Sequence, residues 1–200
     1  MNKAISHFQT NISRVKDIGG LYDALSNLTT SIVDTSDLLR TQIVMAVSAL
    51  DHYIYEITRK GMLEIYNGTR SPTNAYSKFQ ISIETIQSIT SGQIGSELLE
   101  NAIREKHSYL SFQHPDKIAD ATRLFSEEPL WVEIGNRMSM PVIDVKNRLK
   151  LIIERRNKIA HEADMDPSYP GARWPITKTD VLNTISFIEN VCQQIHSIIS

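Results

Sequence analysis

The clearest periodic pattern in the chain lies in residues 39–57, which read LRTQIVMAVSALDHYIYEI. Apolar side chains recur there at alternating steps of three and four residues, a spacing that places them along one side of an α-helix. They are Leu39, Ile43, Ala46, Val47, Leu50, Ile54 and Ile57. The pattern continues toward Tyr66 and stops at Asn67-Gly68, a typical helix end. We therefore predict a long helix of a helical bundle.

The same spacing recurs along most of the chain and predicts an all-α fold. The expected helices cover residues 3–16, 39–66, 76–89, 95–110, 118–125, 130–138, 141–163 and 177–200. Gly19-Gly20 is expected to end the first helix, and residues 31–37 offer capping side chains ahead of the second. The architecture predicted is an up-and-down bundle with extra short helices in the middle of the chain, all within one domain spanning residues 1–200.

The composition narrows the class of protein. The chain has 200 residues, 41% of them hydrophobic, and a formal net charge of −2, so no overall field draws it to nucleic acid or to an anionic membrane. Its single cysteine, Cys192, suits a reducing compartment and is expected to be a small buried hydrophobe. No signal peptide or membrane span is recognisable, and we expect a cytoplasmic protein.

One position breaks the apolar pattern of the helix expected over residues 141–163. Stepping along that stripe from Leu149 to Ile152, the next inward position is Arg156, followed by Ile159. Burying an unpaired guanidinium costs several kcal/mol, roughly, so Arg156 needs a partner, a ligand or a wet interface. Such local exceptions often mark functional sites.

Two polar side chains near Arg156 lie on a different face of the same helix. Asn157 and His161 are separated by one turn, about 40° apart around the axis, and can act together. Arg156 and His161 are about 140° apart, so one straight helix does not direct both to a single point. A second copy of the helix would resolve this.

The same segment is locally basic. Its cations are Lys146, Arg148, Lys150, Arg155, Arg156 and Lys158, against the acidic residues Asp144 and Glu154. This balance suits a ligand that carries phosphate. An ordinary solvated helix face explains the same composition, and both interpretations stay open at this point.

The sequence around these residues resembles a known family. Arg156-Asn157-Lys158-Ile159-Ala160-His161 is similar to the Arg-Asn-x3-His form of the motif found in HEPN domains. Residues 40–56, Phe112-Gln113 with Ile118, Leu130-Trp131 and residues 155–166 resemble the RiboL-PSP-HEPN family in order and kind. The resemblance covers nearly the whole chain from about Leu38.

The resemblance implies a homodimeric helical bundle in which two copies of the motif face each other and cleave RNA without a metal or cofactor. It would make His161 the general acid or base, Arg156 the stabiliser of the phosphorane-like transition state, and Asn157 a positioning residue. Arg155 and Lys158 are the expected RNA or phosphate contacts. The product would end in a 2′,3′-cyclic phosphate.

Other candidate residues have weaker support. Asp51 falls in a segment where the family pattern places an Asp, and it either orients a motif residue or is an ordinary paired carboxylate. Glu162, Asp164 and Asp166 with His161 suggest a metal site, but they lack the spacing of known metal-binding motifs. The remaining candidates, expected to be surface or satisfied structural histidines, are His7, His107, His114 and His196.

The sequence thus predicts a HEPN-type ribonuclease, in a bacterial defence or toxin–antitoxin setting by analogy with the family. A protein antitoxin or a sensor is then a natural partner. Two alternatives remain: a non-catalytic dimeric interaction or sensor module, and a nucleotide-binding module.

Overall fold

The computed structural model describes residues 1–30, 33–92 and 94–200. The helices within these residues are α1 (Asn2–Leu28), α2 (Ser36–Tyr66), α3 (Asn74–Ser77), α4 (Ile83–Thr90), α5 (Gly95–His107), α6 (Pro115–Arg123), α7 (Leu130–Met138), α8 (Val142–His161) and α9 (Lys178–Ile199). The all-α prediction is confirmed. None of the described helices is both long enough and apolar enough to cross a membrane.

Helix α2 is the central element of the bundle. All seven apolar residues of its predicted stripe are buried, and the helix ends at Tyr66 as the Asn67-Gly68 signal predicts. It packs against α1, α5, α6, α8 and α9. The periodicity of residues 39–57 therefore identifies the helix around which most of the core is built.

The expectation that Gly19-Gly20 ends the first helix is wrong, because α1 continues through both glycines to Leu28. A Cβ atom on Gly19 would lie 2.7 Å from Nε2 of Gln42, which donates a hydrogen bond of 2.9 Å to the Val15 carbonyl. Gly19 thus allows close contact between α1 and α2. Of the capping stretch predicted at residues 31–37, Ser31 and Ile32 lie outside the described residues.

The single helix expected over residues 76–89 is also wrong, since the chain forms two short helices there. Thr73 caps α3 by accepting from the Tyr76 amide, and Ser82 caps α4 by accepting from the Thr85 amide. Two capping side chains nine residues apart start two helices. The helices expected at 95–110, 118–125 and 130–138 are present as α5, α6 and α7.

The last two helices close the bundle. Thr177 caps α9 by accepting from the Asp180 amide, and Val181, Ile185, Ile188, Val191 and Ile195 of its predicted stripe are buried. Cys192 is also buried, which raises the pKa of its thiol. Helix α8 ends at His161, two residues before the end expected.

His107 occupies an unusual position at the end of α5. Its ring is surrounded edge-on by the rings of Tyr55, Phe79 and Phe112, at centroid distances of 5.3–6.4 Å. The expectation of a surface or satisfied histidine is wrong, since it is buried and its Nδ1 has no hydrogen-bond partner within the described residues. Burial, together with the nearby charge of Lys106, lowers the pKa of His107 to about 4.

Two glycine substitutions should have opposite effects on stability. A Cβ on Gly61 in α2 would lie 2.3–2.6 Å from atoms of Phe125, whereas one on Gly20 in α1 would meet nothing within 4 Å. We expect Gly61→Ala to lower the free energy of unfolding by about 1–3 kcal/mol and Gly20→Ala to raise it by about 0.5–1 kcal/mol. Urea unfolding of both variants measures this, and destabilisation by Gly20→Ala would contradict the continuity of α1.

His107 should make stability depend on pH. Because its pKa is lower in the fold than in the unfolded chain, the unfolded state binds more protons between about pH 4 and pH 6.5. Stability should therefore fall as the pH drops through that window, by up to about 3 kcal/mol. Unfolding of wild type and His107→Phe at pH 7 and pH 5 tests this, and an equal loss in both proteins would rule it out.

Candidate functional site

The motif residues lie in the last two turns of α8. Arg156 and Asn157 are half-buried, while His161 is exposed and is the last residue of the helix. Val145, Leu149 and Ile152 are buried along the stripe that Arg156 continues. The structure therefore places Arg156 on the side of α8 that its spacing predicts.

Arg156 has an unmet bonding requirement. Its Nε is buried with no hydrogen-bond partner, and its guanidinium forms no ion pair with any residue that the structure describes. Two nearby cations do have partners. Lys146 pairs with Asp116 at 2.8 Å, and the Arg148 guanidinium lies 4.4 Å from the centroid of the Phe187 ring. Because a buried guanidinium nitrogen without a partner is costly, Arg156 is the cation of this segment best placed to receive an external group.

Asn157 and His161 also have free polar atoms. Neither side chain hydrogen-bonds to another group in residues 1–30, 33–92 or 94–200. At about 100° per residue, His161 lies in line with Ile143 and about 20° from Glu154 on α8. Ile143 is 62% exposed, so His161 ends a mixed apolar and charged outer face, whereas Arg156 lies on the inner side of the helix.

Arg155, one residue before Arg156, is bound within the protein. Its Nη2 donates to Oδ2 of Asp164 at 2.7 Å and to the carbonyls of Trp174 and Pro175 at 3.3 and 3.1 Å. Desolvation lowers the pKa of its guanidinium. The phosphate contact expected of Arg155 therefore does not fit its environment, because a buried carboxylate and two backbone carbonyls already provide acceptors for it.

Asp164 joins the motif helix to α2. Its fully buried Oδ2 also accepts from Nε of Arg40 in α2 at 2.7 Å, and Arg40 donates to the Trp174 carbonyl at 2.9 Å. Its other oxygen, Oδ1, is buried without a partner within the described residues. We call this group, formed by Arg40, Arg155 and Asp164, the carboxylate clamp. Sequence reasoning missed it, although an arginine beside the buried stripe of α2 was a signal.

The loop after α8 is folded around the carboxylate clamp. Ala163 and Asp164 adopt left-handed backbone conformations with φ of 49° and 58°, which turn the chain sharply away from the helix. The Trp174 amide donates to the Asp164 carbonyl at 2.8 Å, and Arg173 pairs with Asp34 and Asp37 near the start of α2. The end of the motif helix is therefore held in place from several sides.

Lys158 contributes to the same loop. Its ammonium lies over the Trp174 ring, 4.9 Å from the centroid, a cation–π contact. This contact does not use the N–H donors of the ammonium, so the phosphate contact expected of Lys158 stays a prediction.

Asp51 does not bond to the motif. Its Oδ1 accepts from the Phe112 amide and its Oδ2 from Nε2 of Gln113, both at 2.6 Å. The structure therefore favours the second of the two roles expected for Asp51, a paired carboxylate that fixes the segment between α5 and α6.

Two of the three carboxylates after His161 have structural partners. Asp164 belongs to the carboxylate clamp, and Oδ1 of Asp166 accepts from the Ser168 amide at 2.9 Å. Among the residues described, no group of three or more His, Cys, Asp or Glu side chains is arranged to hold a metal ion. The alternative of a metal site at Glu162, Asp164 and Asp166 thus has no geometric support.

Comparison with known proteins gives one match. The family model described as RiboL-PSP-HEPN matches residues 9–200. No curated protein and no solved structure matches the chain. The matched region contains every motif residue discussed above.

Removing the buried carboxylate should destabilise the protein strongly. Asp164→Ala leaves Arg40 and Arg155 without their counter-charge, and we expect the free energy of unfolding to fall by about 3–5 kcal/mol. Asp120→Ala is the matched control, because Asp120 pairs with Arg123 on the surface, where both side chains are 62% exposed. Asp120→Ala should lower the free energy of unfolding by less than about 0.5 kcal/mol. If denaturant unfolding shows equal losses in the two variants, the stabilising role of the clamp is refuted.

Proposed function

Because the chain belongs to the RiboL-PSP-HEPN family, we propose that it is a metal-independent endoribonuclease that acts as a homodimer. The observation that supports this most is the bonding state of Arg156. It is half-buried, its Nε lacks a partner within the described residues, and it lies in the motif that active HEPN domains use. A phosphate group would satisfy that guanidinium.

A second copy of the chain would allow Arg156 and His161 to act on the same phosphate. Arg156 lies on the inner side of α8 and His161 on the outer side, about 140° away. A two-fold axis near the end of α8 would bring His161 of each copy toward the motif of the other. Ile143 is exposed and in line with His161, and Leu151 is exposed about 80° around the helix, so the outer side of α8 offers apolar contacts for such an interface.

The proposed reaction is a transesterification within the RNA strand. The 2′-hydroxyl oxygen attacks the neighbouring phosphorus, and the bond from phosphorus to the 5′ oxygen breaks. His161 accepts the proton of the 2′-hydroxyl while water protonates the leaving 5′ oxygen, or, as an imidazolium, it protonates that oxygen while water takes the hydroxyl proton. Arg156 stabilises the charge that builds up on the phosphate oxygens, and Asn157 positions the phosphate. The products are a 2′,3′-cyclic phosphate and a 5′-hydroxyl.

The remaining expected residues fit around this centre. Lys158 is proposed as an RNA contact at the rim, whereas Arg155 and Asp51 serve the fold through the carboxylate clamp and the 112–113 segment. We further propose a cytoplasmic protein that acts in bacterial defence or as the toxin of a toxin–antitoxin pair, restrained by a protein antitoxin or a sensor. This setting is drawn from the family.

Cleavage of a labelled RNA pool in excess EDTA tests the proposal. Wild type should cut and leave cyclic-phosphate ends, His161→Ala should be about 10²–10⁴-fold slower, and Arg156→Ala about 10²–10³-fold slower. His7→Ala, at an exposed histidine of α1, is the matched control and should cut like wild type. Light scattering with size exclusion checks that each protein is folded and dimeric.

Absence of cleavage by wild type would refute the proposal, and three other results would contradict it. Cleavage that EDTA abolishes would contradict a metal-free mechanism. If His161→Ala cuts as fast as wild type, the activity does not arise from the motif. If Arg156→Ala is folded but monomeric, Arg156 is an interface residue, and a dimeric interaction module becomes the better interpretation.

A further inference from the structure

A cavity of about 320 Å³ lies between α2 and α5, away from the motif on α8. Its lining includes Asp51, His52 and Tyr55 of α2, Arg104 and His107 of α5, and Phe112 of the segment that follows. Its volume is at the lower end of the range for small-molecule sites, large enough for a nucleobase with its sugar. The proposed ribonuclease reaction uses none of these side chains.

One wall of the cavity is a flat aromatic surface. The rings of His52 and Tyr55 are stacked, with centroids 6.4 Å apart and planes inclined by 21°. His52 is exposed and Tyr55 is half-buried, so His52 presents a ring to the solvent. Exposed flat rings of this kind are the surfaces on which proteins stack unpaired bases, with little dependence on base identity.

The opposite wall has polar groups with unused bonding capacity. His107 is 4% exposed, and its Nδ1 lacks a partner within the described residues. Arg104 is 47% exposed and donates to Oε1 of Glu100, an atom that also accepts from Arg59. Arg104 donates to Glu100 through its Nε and Nη2, and its Nη1 has no partner among the described residues, so Arg104 keeps donors for an anion at the rim of the cavity.

A second cavity extends this one across α2. It is about 330 Å³ in volume and shares Ser48 and His52 with the first, and its far side is formed by Asn11 and Arg14 of α1. Because the two cavities share Ser48 and His52, they adjoin on α2, with Arg104 on the α5 side and Arg14 on the α1 side, and we call them together the groove. This arrangement matches a nucleic-acid strand, in which bases alternate with charged phosphates.

We propose that this groove binds nucleotide units, with a base stacked on His52 and phosphates near Arg104 and Arg14. The units come from single-stranded RNA or from free nucleotides, which share this chemistry. The inference rests on the proposed function only in naming RNA as one source. In that case the groove holds the strand at a distance from the bond that is cut.

Binding of a short, labelled 2′-O-methyl RNA oligonucleotide tests the proposal. The probe has no free 2′-hydroxyl, so it cannot be cleaved and its affinity does not depend on catalysis. We expect His52→Ala to weaken binding about 5- to 150-fold, since base stacking on an aromatic ring has that effect. His52→Phe keeps a ring and should bind within about threefold of wild type. His196→Ala in α9 is the control for a distant histidine.

The charge at the rim is tested in the same assay. Arg104→Ala should weaken binding and reduce its salt dependence, because one phosphate contact is lost. Arg123→Ala removes an exposed arginine that pairs with Asp120 on α6, and it should change neither the affinity nor its salt dependence.

Competition with adenosine and uridine monophosphates separates the two sources of nucleotide units, RNA and free nucleotides. Displacement by them identifies free nucleotides, while binding of the oligonucleotide alone identifies RNA.

Two outcomes would overturn the proposal. The first is equal affinity of wild type and His52→Ala for both the oligonucleotide and the mononucleotides. The second is a loss of oligonucleotide binding in His161→Ala as large as that in His52→Ala, which would place the strand at the motif instead. Absence of RNA cleavage by wild type would refute the proposed function and leave this result intact.

Discussion

The buried carboxylate of Asp164 is the interaction on which the motif's placement depends. It accepts hydrogen bonds from Arg40 in α2 and Arg155 in α8, and both arginines also donate to the Trp174 carbonyl. The central helix, the motif helix and the loop after it are thereby joined at one point. Since removal of one partner leaves buried charge uncompensated, small shifts of α8 are opposed, and Arg156 keeps a fixed direction.

Much of the fold could be predicted because its signals are local. The stripe of α2, the Thr177 cap of α9 and the prolines at the starts of α6, α7 and α8 act within a few residues, where sequence spacing and structure correspond directly. The end of α1 could not be predicted from Gly19, because a glycine ends some helices and allows close packing within others. The difference lies in Gln42, which belongs to a different helix.

The same distinction explains the site. The direction of Arg156 follows from helical periodicity, and it needs no knowledge of neighbours. The partner of Arg155 cannot be predicted from helical spacing. A left-handed turn brings Asp164 to Arg155, and Asp164 is also bound by Arg40, which is 124 residues away in the chain. For this reason composition grouped Arg155 and Arg156 as equivalent cations, whereas the structure gives one an internal partner and leaves the other without.

The position of Trp174 gives the protein a built-in optical reporter. The chain has two tryptophans, and Trp131 is buried, with its Nε1 bonded to the Pro115 carbonyl at the start of α6. Trp174 instead lies beneath the Lys158 ammonium, and its carbonyl belongs to the network of the carboxylate clamp. An anion that draws Lys158 away from the ring alters the electrostatic field at the indole. Changes near the motif therefore register in the emission of a natural side chain, without any attached dye.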